Sequence, residues 1–183
     1  RWLPALAIGA VIAVSSSRSA YLSAVIAVLI CLVGWSWPRR RVLLVLTFGG
    51  LAVAGAMAPR LFRSITGMFA GASEDPSIES RTGSYAVAWS FLSHHPWFGR
   101  GLGTFLPKYR IFDNEYMGLL VCVGVVGTAA FLALALVSIA ELTRALRSAD
   151  PEHRGLAVAL IAAVVSGFAS LAFFDAFAFP MTM

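Results

Sequence analysis

The stretch YMGLLVCVGVVGTAAFLALALVSIA, residues 116–140, decides the fold: its 25 residues include no acidic or basic side chain. A bilayer's hydrocarbon core is about 30 Å thick, and a helix rising about 1.5 Å per residue crosses it in about 20 apolar residues. Four more apolar stretches lie around it, at about 3–14, 19–35, 42–58 and 155–174. The first is short as it stands. With Arg1 running directly into it and an apolar end at Phe179-Pro180-Met181-Thr182-Met183, the chain reads as a fragment of a longer protein.

The composition agrees. Of 183 residues 59% are hydrophobic and 13% charged, with mean hydropathy +0.82. A soluble domain carries about 25% charged residues, and disorder requires low hydrophobicity, so both classes are excluded. The expected fold is an all-α polytopic membrane protein, a single transmembrane domain with a long extracytoplasmic loop at 59–114. The net charge of +5 lies in residues placed between apolar spans, which points to membrane orientation rather than nucleic acid. Cys31 and Cys122 each sit inside an apolar run, so no disulfide framework or metal-binding cysteine pair is indicated.

Short loops rich in arginine face the cytoplasm. Arg39-Arg40-Arg41 is read as the turn between the second and third spans, and Arg144, Arg147 and Arg154 lie between the fourth and fifth. Alternation puts both loops on one side. The Ser15–Arg18 turn, the 59–114 loop and the end of the fifth span then face outward. That long loop holds six basic residues, but long loops weigh little in this rule. Structureless loops beyond about 12–15 residues are uncommon unless functional. A helix is expected within it from about Pro76 to His94, capped by Asp75 and ended by Pro96, with Tyr85, Trp89 and Leu92 laid against the membrane domain.

Several residues have a chemical reading beside a structural one. Arg18, in Ser15-Ser16-Ser17-Arg18-Ser19, is an interfacial anchor or an anion site for phosphate. Arg81 is a surface arginine paired with Glu79 or a second phosphate clamp. Adjacent His94 and His95 cannot both face one ion from a helix, so metal binding is not expected. The stretch from His95 to Phe105 reads as a glycine-enabled re-entry toward the membrane, with Trp97, Phe98 and Phe105 as interfacial anchors. Asp113 or Asn114 caps the fourth span, or Asp113 is a general base at the membrane surface. Asp175, among Phe173, Phe174 and Phe177, reaches the interface, pairs with an arginine, or is functional. Arg18, Arg81, Asp113 and Asp175 all fall on the outer side. Two cations and two acids there suit a lipid diphosphate and an activated hydroxyl.

Taken in order, Ser17-Arg18-Ser19-Ala20, Arg81 and Trp89, His95-Pro96-Trp97-Phe98-Gly99-Arg100-Gly101-Leu102-Gly103-Thr104-Phe105, then Asp113-Asn114-Glu115-Tyr116 with Gly124 and Gly127 resemble the O-antigen ligase and polymerase superfamily. The match runs from about residue 15 to 130, in what looks like the C-terminal half of such a protein. The resemblance implies a GT-C-like membrane glycosyltransferase in the bacterial cytoplasmic membrane, active on its periplasmic or extracellular side. The donor would be an oligosaccharide linked to undecaprenyl diphosphate, the acceptor a glycan or glycolipid, with no metal or nucleotide cofactor. Arg18 and Arg81 match the arginines assigned to the diphosphate. Asp113 stands where ligases of the family carry a histidine proposed as the base, which shifts weight toward a polymerase or a related exopolysaccharide enzyme. His94 and His95 rank below Asp113 as substitute bases.

The alternative is a transporter or flippase for a lipid-linked anionic oligosaccharide. Such proteins place polar sites near the midplane and show inverted repeats. Spans two to four here carry no intramembrane charge. A non-catalytic membrane scaffold is the third reading.

Overall fold

The computed structural model describes residues 3–14, 18–57, 76–105, 112 and 114–173. These form six helices and no strand: α1 (Leu3–Val14), α2 (Arg18–Gly34), α3 (Trp37–Met57), α4 (Pro76–Leu92), α5 (Glu115–Ala145) and α6 (Pro151–Ser170). Helices α5 and α6 are long and apolar enough to cross a membrane, and Ser19–Gly34 within α2 is an apolar but shorter helix. Leu132, Leu134, Leu136 and Val137 of α5 and Leu156 and Leu160 of α6 are exposed, as helices apolar on every side require of a lipid-facing surface. The chain divides into two compact units, residues 1–73 with 140–166, and residues 74–139 with 167–183.

In the first unit α1 packs on α2 and α3. The turn between α2 and α3 is only Trp35 and Ser36, and Arg39-Arg40-Arg41 belong to the first turns of α3 rather than to the turn. Ser36 O accepts the first helical bond from Arg40 N–H at 3.0 Å, and Pro38 sits where a missing N–H loses nothing. The Arg40 guanidinium reaches back to Trp35 O at 2.6 Å and Val33 O at 2.8 Å, carbonyls that the end of α2 leaves free. Cys31, Val158 and Ala162 form a buried cluster with Ala27, Ile30, Trp35, Leu43 and Leu146 around it. Trp35 Nε1 donates to Gly155 O at 2.9 Å and the Arg39 guanidinium to Pro151 O at 2.9 Å.

Asp150 caps α6. Its carboxylate accepts from Glu152 N–H at 2.8 Å, and Pro151 fills the first helical position. This start lies four residues before the span expected at 155, because the cap and the proline precede the apolar run. The Glu152 N–H, and next the neighbouring His153 side chain, hold the exposed Asp150 carboxyl below its usual pKa.

In the second unit α4 ends at Leu92, two residues before the expected His94. Ser90 O is taken by Ser93 Oγ at 2.9 Å and by His94 Nδ1 at 2.7 Å, while His94 and His95 N–H turn to Phe91 O and Leu92 O. The Asp75 cap lies outside the described residues. The packed face also differs from expectation. Ser84 and Ala88 are buried, whereas Tyr85 and Trp89 are exposed, Trp89 at 70%. Small side chains let α4 approach closely, and the bulky pair takes the open face. The head of α5 is tied to the end of α6 by Glu115 N–H donating to Leu171 O at 2.8 Å and by Tyr116 OH donating to Phe168 O at 2.6 Å.

The cap carries a pH prediction. A carboxyl lowered by folding adds stability above its unfolded value, about 3.9, and that stability is lost as pH falls through the folded value. Thermal unfolding in detergent at pH 7 is expected to rank wild type at or above Asp150→Asn, and both above Asp150→Ala. The gap between wild type and Asp150→Asn closes as pH falls through the lowered folded value.

Candidate functional site

The α5 helix is broken ten residues in, at Gly124, whose φ of 67° and ψ of −170° only glycine adopts readily. The break withdraws Val125 and Val126 N–H from Val121 and Cys122 O. The loop after α4 takes up all four groups. Val125 N–H donates to Pro96 O at 2.9 Å and Val126 N–H to Trp97 O at 3.1 Å. In return Arg100 N–H donates to Val121 O at 3.0 Å and Gly101 N–H to Cys122 O at 2.8 Å. Gly124 O itself accepts from the buried Thr128 hydroxyl at 2.8 Å.

This exchange needs the two backbones nearly in contact. A Cβ on Gly99 would lie 2.5 Å from Cys122 C and 2.6 Å from Gly124 N. A Cβ on Gly124 would lie 2.6 Å from Gly99 N and closer still to Trp97 O. Gly99, Gly101 and Gly103 all have positive φ. A single orphaned backbone group in hydrocarbon costs several kcal/mol, so the loop and the break stand or fall together.

Beside this lock the rings of Phe91, Phe105 and Phe112 form a ladder. Phe91 and Phe105 meet edge to face at 5.4 Å, and Phe105 stacks on Phe112 at 4.7 Å. Ala88, Phe112 and Val121 are its buried core. Phe105, expected as an interfacial anchor, is instead the middle rung, because the turn carried by Gly101 and Gly103 folds it back under the loop. Trp97 and Phe98 are exposed. The Arg100 guanidinium lies over the Phe91 ring, 4.9 Å from its centroid.

The residues singled out from sequence divide sharply. Arg18 opens α2 and Arg81 lies in the second turn of α4, and both side chains lie outside the described residues. Asp113 and Asp175 lie wholly outside them. His94 and His95 are exposed at the start of the loop, and His94 is engaged with Ser90 O. Asn114 is the cap of α5, its Oδ1 accepting from Tyr116 N–H at 3.1 Å. Among the described residues no three His, Cys, Asp or Glu side chains gather.

Two residues escaped the sequence reading. Glu115 is 2% exposed, the buried charged side chain among the described residues. Its place in the positive first turn of α5 was the available signal. Arg100 was passed over as part of a glycine motif, and only the loop path reveals that it is held against α5 at Val121, beside the break.

A family model described as O-antigen ligase matches residues 3–132 of the 183. That range takes in the loop, the cap and the helix break. No curated protein and no solved structure matches.

The lock predicts a graded glycine series. Gly99→Ala and Gly124→Ala should each lower stability by about 3 kcal/mol or more, read as detergent-solubilised thermal unfolding, since both strain φ and force bonded backbones apart. Gly103→Ala, whose Cβ meets open space, should lose only about 1–2 kcal/mol from backbone strain. Equal losses at all three positions would refute the close-approach argument.

Proposed function

Because the chain belongs to the O-antigen ligase family, we infer that it works as a membrane glycosyltransferase that elongates or transfers a surface glycan. The family relation carries lipid-linked oligosaccharide and acceptor glycan as substrate classes. Within them we take undecaprenyl diphosphate as the donor's lipid and the outer face of the cytoplasmic membrane as the place of reaction. The bundle is read as polytopic and GT-C-like, with the 59–114 segment extracytoplasmic.

In this mechanism an acceptor hydroxyl attacks the anomeric carbon of the donor. The new glycosidic bond forms as the bond from that carbon to the diphosphate oxygen breaks, and the bonding pair leaves on the diphosphate. Arg18 and Arg81 stabilise the negative charge that grows there, which is electrostatic catalysis at the leaving group. Asp113 accepts the hydroxyl proton, with His94 and His95 as lower-ranked substitutes. Asp175 is a further acid on the same proposed face. One displacement inverts the anomeric configuration. No step requires a metal or a nucleotide.

The observation that supports this reading is the family match over the whole of the loop and helix break. The broken α5 also speaks to the alternative, because discontinuous helices build transporter sites from their freed backbone groups. Here Val121 O, Cys122 O, Val125 N–H and Val126 N–H are already taken by the loop. Each of the four already has a partner in the loop, which favours transfer over transport.

The test uses full-length protein in liposomes with undecaprenyl-diphosphate oligosaccharide, following glycan length and release of the lipid diphosphate. A ladder of longer glycans marks a polymerase, and a single transfer to a distinct acceptor marks a ligase. Arg81→Ala should slow turnover about 10²–10³-fold, the usual effect of removing one charge-stabilising donor. Undiminished turnover removes Arg81 from the clamp, and lipid movement without transfer replaces the whole reading with transport.

A further inference from the structure

The loop holds one cation in an unusual way. Arg100 N–H and Gly101 N–H are both bonded to α5 carbonyls, and Gly99 and Gly101 flank the arginine with φ of 64° and 101°. Its backbone is therefore pinned on both sides. Its side chain rests on Phe91, the first rung of a ladder that ends at Phe112.

Depth makes the placement informative. Arg100 is bonded to Val121, six residues beyond Glu115. Six residues of helix rise about 9 Å. The headgroup region of a bilayer is about 5–8 Å deep on each side. If α5 enters the membrane from its Glu115 end, the Arg100 backbone stands near the boundary of headgroups and hydrocarbon, and its long side chain reaches the lipid phosphates. A guanidinium there requires a counter-charge. Among the described residues it meets no carboxylate, and a ring face answers only part of that need. A planar fork of donors on a rigid loop matches a phosphate oxyanion and loses little freedom on binding it.

We propose that Arg100 binds the phosphate of a membrane lipid, and that this lipid is the diphosphate donor of the proposed transfer. The assignment rests on the glycosyltransferase reading for the donor's identity, though not for the phosphate chemistry. Arg100 is then a further cation for the donor, in addition to Arg18 and Arg81. It differs from them in being held by backbone bonds to the α5 break.

The experiment places full-length wild type, Arg100→Gln and Arg100→Lys in phosphatidylcholine nanodiscs. Binding of undecaprenyl diphosphate, donor KM, kcat and thermal unfolding are measured with and without added phosphatidylglycerol. The expected result for Arg100→Gln is at least a ten-fold rise in donor KM and in the Kd for undecaprenyl diphosphate, with unchanged unfolding temperature. Arg100→Lys should recover part of the loss, since a lysine keeps the charge without the fork. Both effects should persist when phosphatidylglycerol is added. If donor KM and Kd stay within two-fold while the variant instead loses the stabilisation given by phosphatidylglycerol, Arg100 serves bulk headgroups and the proposal is overturned. If unfolding shifts and binding does not, Arg100 is structural and the proposal is likewise overturned. If wild type binds undecaprenyl diphosphate through Arg100 but transfers no glycan, the glycosyltransferase reading fails and the phosphate site stands.

Discussion

Four backbone hydrogen bonds between residues 96–101 and 121–126 hold the second unit of this chain together. Hydrocarbon offers no substitute partner for a free amide or carbonyl, so a helix that crosses it has no freedom to break at random. The α5 helix breaks only where a second backbone arrives to complete the bonding. That second backbone can arrive only because Gly99 and Gly124 leave no Cβ between the strands of chain. The constraint is mutual. Neither the re-entering loop nor the interrupted helix has a satisfied backbone alone.

The surroundings of the lock follow from it. The loop must begin close to α5, so α4 turns two small residues, Ser84 and Ala88, inward and is followed by a tightened turn at His94. The loop must also leave again, and Gly101 and Gly103 fold Phe105 beneath it, between Phe91 and Phe112. The head of α5 then needs a fixed position of its own. Asn114 caps it, and Glu115 N–H and Tyr116 OH tie it to the last carbonyls of α6. The first unit uses the same economy with different residues. Arg40 donates to carbonyls that the end of α2 leaves free, and Trp35 and Arg39 donate to carbonyls in the first turns of α6.

Much of this was legible in the residues. The apolar run at 116–140 announces a spanning helix, and the histidine–proline–glycine stretch announces a tight turn and a family. Less legible was which face of α4 packs. Tyr85 and Trp89 follow helical spacing as well as Ser84 and Ala88 do, and periodicity reports a face without saying whether protein or open surface covers it. The arginine triplet was misplaced for a related reason. Charge marks the side of the membrane, whereas the helix start is decided by Ser36 O and Pro38. The proposed clamp and base, Arg18, Arg81 and Asp113, remain a reading of sequence and family. Glu115 and Arg100 come from burial and loop path.

By itself, then, the sequence determined the helical class, the membrane setting, the family and the glycine turn, because each depends on composition or on short-range stereochemistry. The tertiary structure alone decided that Gly124 is a break rather than one more small residue in a span. A glycine inside an apolar helix is compatible with both outcomes. What separates them is whether a backbone some twenty-five residues earlier lies within hydrogen-bonding distance, and no local pattern carries that information.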